Sequence, residues 1–222
     1  MSKKVLIVFA HPERKSLNGQ LLDEVINQLK IQGDEFKTSD LYDMGWKSEV
    51  DINDFTDYPK DKIFQPSYAS KNYHQFTPDV IEEQNKLIWA DTVLFVFPLW
   101  WYNPPAILKG WFDRVFSSGF AYEYKYHFGD RDNEFWKKET VTGKNVSFIV
   151  TIGSTAEESY DPDDPIKDVD QLLSNLFRTF YYSKMNPWTP LYFFGIGKIT
   201  PEGVGAMKGK VREFVRNIPS PC

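Results

Sequence analysis

Apolar residues along this chain fall into two regimes: short unbroken runs, and longer stretches with helical spacing. Unbroken runs rich in Val, Ile, Leu and Phe occupy 4–10, 92–97 and 145–152. Such runs suit strands covered on both faces, as in a parallel sheet. Positions 35–41 and 190–196 read as two further strands. Between these runs, apolar residues recur at helical spacing over 18–30, 78–89, 105–117, 166–181 and 202–215. Pro78 and Pro105 stand where helices begin, Thr77 offers a cap, and Gly33 suits the left-handed end of the first helix. Strands alternating with helices predict an α/β fold, a doubly wound five-stranded parallel sheet with helices on both faces. Two stretches, 43–75 and 119–143, interrupt the alternation, and loops of that length are unusual unless functional. No repeat or Gly/Ser linker divides the chain, so 1–222 reads as one domain with two excursions.

Composition refines this picture in three places. Aromatic residues make up 17% of the chain, enough to fill a core, line a slot for a planar ligand or cover an apolar interface. A net charge of −5 argues against nucleic acid or an anionic membrane surface as partner. The single cysteine, Cys222, allows no intrachain disulfide and favours a reducing compartment. The basic start and short apolar stretch at 1–10 fit a first strand better than a signal peptide, and no apolar run is long enough to span a bilayer. The expectation is a cytoplasmic protein with no membrane insertion.

Two segments carry candidate chemistry. After the third strand comes Pro98-Leu99-Trp100-Trp101-Tyr102-Asn103-Pro104-Pro105, then a helix with Ile107, Leu108, Trp111, Phe112 and Val115 at helical spacing. A rigid aromatic and proline loop there puts flat side chains at the carboxyl edge of the sheet, where open α/β folds bind ligands. After the first strand comes His11-Pro12-Glu13-Arg14-Lys15-Ser16-Leu17-Asn18-Gly19. That turn reads equally as a capped helix start, with Ser16 or Asn18 as the cap, or as an anion site built from backbone amides and the helix dipole. No Gly-x-Gly-x-x-Gly or P-loop is present, and three scattered histidines with one cysteine offer no metal-ligand spacing. His74 and His127 sit in the excursions and read as surface or locally hydrogen-bonding residues rather than ligands.

Taken in order, these residues resemble the NAD(P)H:quinone oxidoreductase family, flavodoxin-like FAD enzymes of the diaphorase type. The resemblance runs through His11 and Ser16-Leu17-Asn18, Ser39-Asp40-Leu41-Tyr42, Pro78-Asp79-Val80 with Glu83-Gln84, the segment 97–116, Phe120-Ala121-Tyr122-Glu123-Tyr124 and Thr151-Ile152-Gly153-Ser154-Thr155. It implies a flavodoxin-like fold in which His11, Ser16, Leu17 and Asn18 hold the FAD diphosphate, with FMN the less favoured cofactor, and Gln65 matches a family glutamine near it. Pro98, Leu99, Trp100, Trp101 and Tyr102 would lie along the isoalloxazine ring, and Thr151, Ile152, Gly153 and Ser154 at its pyrimidine end. Trp101 and Tyr102 would wall a substrate slot that Tyr122 and Tyr124 close from a second copy, because the family forms homodimers. The implied activity is two-electron, ping-pong reduction of a quinone or other small aromatic acceptor by NAD(P)H.

One departure from the family pattern bears on catalysis. The family usually places a tyrosine and a histidine after the fourth-strand loop, beside flavin O2 and N1. Here Tyr160 is displaced by one position and no histidine follows. Tyr160, or the backbone amides of 153–155, would then stabilise the reduced ring. Two other readings of the same cofactor site are a flavoprotein regulatory subunit of a potassium-efflux system and a flavin or NAD(P)H sensor with little turnover.

Overall fold

In the computed structural model, residues 2–72, 76–122, 140–156, 158 and 168–220 are described. The first four strands form close to where the apolar runs place them: β1 (Lys4–Phe9), β2 (Glu35–Asp40), β3 (Thr92–Pro98) and β4 (Asn145–Thr151). They pair in parallel in the order β2-β1-β3-β4. Alternate residues of the unbroken runs face two separate cores. Leu6, Val8, Phe95, Phe97 and Phe148 face one, while Val5, Ile7, Phe9, Leu94, Val96 and Ile149 face the other. Both faces being covered is why these strands need no polar side, and it makes the sheet doubly wound.

The helices are α1 (Leu17–Gln32), α2 (Pro66–Asn72), α3 (Pro78–Trp89), α4 (Ala106–Val115), α5 (Val169–Leu172), α6 (Ser174–Tyr182) and α7 (Pro201–Arg216). Leu21, Val25 and Leu29 of α1 and Val211 and Val215 of α7 cover one face. Val80 and Leu87 of α3, Leu108 and Trp111 of α4, and Phe180 of α6 cover the other. Phe95 is the centre of this second core, stacked on Phe180 and edge-on to Trp111. Much of the aromatic content is therefore core. Gly33 ends α1 at φ 73, the left-handed cap its sequence position suggests.

Two expectations need correction. The fifth strand, expected over 190–196, forms only as β6 (Leu191–Phe193), and a two-residue strand before that span, β5 (Asn186–Pro187), also runs parallel to β4, so the sheet has six strands on five positions. Pro187 and Pro190 have no N–H to give the ladder. The Ser147 hydroxyl instead reaches the carbonyls of Trp188 and Thr189, at 3.1 and 3.3 Å. The helix expected over 166–181 is likewise two pieces, α5 and α6, with Leu173 between them, and 166–167 lie outside the described residues.

The first excursion is not loose. It contains a single 3-10 turn (Ile52–Asp54) and α2, and it is pinned to the body by buried charge. Arg114 of α4 donates from Nε to Asp54 Oδ1 (3.0 Å) and from a terminal nitrogen to Asp79 Oδ2 (2.7 Å), over the face of Trp46. Lys47 pairs with Asp51 and Asp54. Gly110 is needed here, because a Cβ would lie 1.8 Å from the Ser48 carbonyl oxygen. Burial works against the Asp79 carboxylate, yet the Thr77 hydroxyl and the Arg114 guanidinium outweigh it and hold its pKa below the ordinary 3.8. A lowered folded-state pKa stabilises the fold above the unfolded value and ceases to do so as pH falls through the folded one. Asp79→Asn is therefore expected to lower the urea midpoint at pH 7, with the gap from wild type closing below pH 3.8. A gap that stays constant with pH would assign the effect to shape instead of charge.

Candidate active site

The chain runs from β1 to β2 on one side and then to β3 on the other. The crevice beyond the carboxyl ends of β1 and β3 is thus a topological switch point, the general ligand position in open α/β sheets. Three loops meet there: 10–16 after β1, 98–105 after β3 and 152–156 after β4.

In the first loop Ser16 proves to be the cap of α1, its Oγ accepting from the Gly19 N–H at 3.2 Å. The backbone N–H groups of Leu17 and Asn18, one step inside the helix, donate to no acceptor among the described residues. The His11 ring contacts the Glu13 backbone through Nδ1, at 3.0 Å from both N and O. With Nδ1 accepting from the Glu13 N–H, the neutral ring carries its proton on Nε2, which is then a donor. The Lys15 ammonium has no partner among the described residues, whereas Arg14 is spent on Asp23 and the Gly19 carbonyl. A Cβ on Gly19 would sit 1.9 Å from the Arg14 carbonyl oxygen, so only glycine lets the turn fold back this tightly. Open N–H groups, a ring donor and an ammonium at a helix N-terminus make an anion cradle.

The second loop is a tight turn. Trp100 and Asn103 exchange two backbone hydrogen bonds, at 2.9 and 3.0 Å, with Trp101 and Tyr102 between them at φ 47 and 61. Two left-handed central residues are the mark of a type I′ turn, which normally takes Asn-Gly. Aromatic residues there cost of order 1–3 kcal/mol each. The turn leaves Trp101 92% and Tyr102 64% exposed and their N–H groups without an acceptor among the described residues. The half-exposed Trp100 ring leans on His11, with centroids 5.9 Å apart, joining the first two loops. Asn103, which closes the turn, has no site role in the sequence reading of this loop, although Asn-Pro and Pro-Pro at 103–105 are turn signals.

Leu99 N–H donates to the Thr151 carbonyl at 2.9 Å and Ile152 N–H to Phe193 at 2.8 Å, which aligns the third loop with the second. Gly153 is exposed and its N–H has no acceptor among the described residues. Gly195 N–H holds the Ser154 carbonyl at 2.7 Å. Pro98 stands opposite Thr151 in the ladder. Gln65 and Tyr122 group elsewhere, around α2. Gln65 is exposed just before the helix, and Tyr122 shares a hydrogen bond with Ser67 at 3.0 Å and packs on the Tyr182 ring. Tyr124, Tyr160, His74 and His127 lie outside the described residues.

An anion cradle beside a rim of free N–H groups and exposed aromatic rings has the donor set that a flavin nucleotide requires: phosphate at one end, a flat ring with a polar edge at the other. Among the described residues, no helix is long and apolar enough to cross a membrane.

Comparison with known proteins agrees with this geometry. The family described as having a flavodoxin-like fold matches residues 3–215. A ribosyldihydronicotinamide dehydrogenase-like protein, traD, of Penicillium crustosum is 40% identical over 97% of this chain and 83% of its own length. NAD(P)H dehydrogenase [quinone] 1 of Rattus norvegicus is 46% identical over 55% of this chain, a match that spans only 46% of the rat protein. The crystal structure of a candidate quinone reductase from Klebsiella pneumoniae superposes with a TM-score of 0.87 at 35% identity, covering 99% of this chain and 86% of that one. The chain belongs to the flavodoxin-like fold family, in its NAD(P)H:quinone oxidoreductase group.

Proposed function

We propose that this protein is an FAD-dependent NAD(P)H:quinone oxidoreductase working by a ping-pong mechanism. One observation carries the reading: a phosphate-type cradle at 11–18 and a strained aromatic turn at 100–103 converge on one sheet edge, joined by the His11–Trp100 contact. The dihydronicotinamide and quinone names of the relatives support the donor and acceptor classes. His11 Nε2, the Leu17 and Asn18 amides and Lys15 would bind the diphosphate. The Trp101, Tyr102 and Gly153 amides would face the polar edge of the isoalloxazine ring. A bound flavin would supply the two-electron chemistry that links a dihydronicotinamide donor to a quinone acceptor.

The rings of Trp101 and Tyr102 orient donor and acceptor in turn against the same face, so the two compete for one slot. Gln65 and Tyr122 lie apart from the slot, around α2, and two copies that exchange these clusters would complete two slots, which is the basis for a homodimer in the cytoplasm. Tyr160, or the Gly153 backbone amide, would hold the negative charge of the reduced ring, the Thr155 N–H being taken by Glu158 Oε2 at 2.9 Å. Preorganised donors at a developing charge contribute about 3 kcal/mol each.

The purified protein is expected to carry one FAD per subunit, read from its visible spectrum and from chromatography of the released cofactor. Parallel double-reciprocal lines for NADPH and a benzoquinone are the expected kinetics. A colourless protein that takes up neither FAD nor FMN on reconstitution overturns the reading, and released FMN would correct the nucleotide.

A further inference from the structure

Asn18 and Thr151 resemble direct cofactor residues in sequence, but their side chains face each other. Asn18 Nδ2 donates to Thr151 Oγ1 at 2.8 Å, with the residues only 2% and 1% exposed. Asn18 belongs to the first turn of α1, two residues past the cap. Thr151 is the last residue of β4, and its carbonyl takes the Leu99 N–H that starts the aromatic turn. It also stands opposite Pro98 on one side and Phe193 on the other. One buried side-chain hydrogen bond therefore ties the anion cradle to both ring-binding loops. Asn18 Oδ1 has no hydrogen-bond partner among the described residues and is sealed from solvent. A buried amide oxygen left unpaired costs stability, and an apolar side chain of similar size would avoid that cost. Packing alone does not account for an amide at this position.

We propose that the Asn18–Thr151 clasp is a positioning element that sets the distance between the phosphate half and the ring half of the flavin site. It rests on the flavin reading above. The side chains act without touching the cofactor; the open backbone N–H of Asn18 remains the contact group. A ligand that spans both halves gains affinity because binding at one half presents the other at high effective concentration, and that gain vanishes when the spacing is wrong. A ligand that uses only the ring half is indifferent to the spacing. The clasp should therefore discriminate FAD from riboflavin, which has the same ring without the diphosphate.

The test measures dissociation constants of FAD and riboflavin for cofactor-stripped wild type, Thr151→Val, Thr151→Ser and Asn18→Ala by flavin fluorescence quenching. Thr151→Val keeps the shape and loses the acceptor; it is expected to weaken FAD about tenfold or more and riboflavin less than twofold. Thr151→Ser keeps the hydroxyl and is expected to restore FAD affinity. Asn18→Ala breaks the clasp from the other side, keeps its backbone N–H, and carries the same expected split should Thr151→Val not fold. Equal weakening of both ligands, unchanged FAD affinity, or failure of Thr151→Ser to restore it overturns the proposal. A wild-type chain that binds no flavin overturns the underlying functional reading as well, so the two failures are distinguishable.

Discussion

Arg114→Met is expected to lower the unfolding free energy by about 3 kcal/mol, the low end of the range for breaking one side of a buried ion pair. The Arg114 guanidinium is nearly sealed from solvent and holds Asp54 and Asp79 together while lying over Trp46. Removing the cation leaves the Asp54 carboxylate, itself buried, with Lys47 at 3.1 Å as its one cationic partner among the described residues, beside the Asp51 N–H at 2.9 Å. That surviving partner is why the low end applies. The measurement is a urea titration, with the midpoint expected to fall and the slope to stay constant. Adding Asp54→Asn should recover part of the loss, since a buried charge without its partner costs more than a neutral amide. A loss under about 1 kcal/mol, small beside the buried-pair range, would show that the apolar cluster of Phe55, Tyr58 and Ala69 holds the excursion instead.

The double variant Trp101→Asn with Tyr102→Gly is expected to move stability and activity in opposite directions. Asn-Gly is the pair that a type I′ turn prefers, so the cofactor-free protein should gain about 2 kcal/mol as two strained aromatic residues are relieved. The same change deletes both exposed rings of the slot. Each aromatic stack contributes about 0.5–1.5 kcal/mol, so the turnover efficiency with a quinone should fall by about two orders of magnitude at the upper end of that range. The turn itself and its free N–H groups remain, and flavin binding is expected to survive. Thermal melts of the stripped protein and steady-state kinetics of the reconstituted one read the two effects separately. Activity retained with improved stability would mean that the rings face a surface with no part in the reaction.

How much of this was legible beforehand depended on whether the signal was local. The central strands were, because full burial on both faces leaves no polar position to blur the run. The Gly33 cap and the start of α3 at Pro78 were legible because glycine and proline act through their own backbone restrictions. The edge strand was less so, because one half-exposed ladder tolerates prolines and can be bridged by Ser147. The choice between Ser16 and Asn18 as cap also stayed open in sequence. Both residue types can cap, and the structure sends Asn18 inward only because Thr151 waits there.

The sequence by itself determined the fold class, the strand–loop–helix segments that carry the site, and the family, because each rests on neighbouring residues and their periodicity. Tertiary structure alone decided which of those residues are open and which are spent. Arg14 and Lys15 are adjacent cations, yet only Lys15 remains free at the cradle, since Asp23 lies one helical turn away from the fold-back that Gly19 permits. Trp101 and Tyr102 look like any aromatic pair until the Trp100–Asn103 bonds force both into left-handed backbone. Asn18 and Thr151, far apart in the chain, become one buried contact where three loops meet. Exposure, strain and long-range pairing are properties of the assembled sheet edge, set by which strands lie side by side, and no local stretch of residues encodes them.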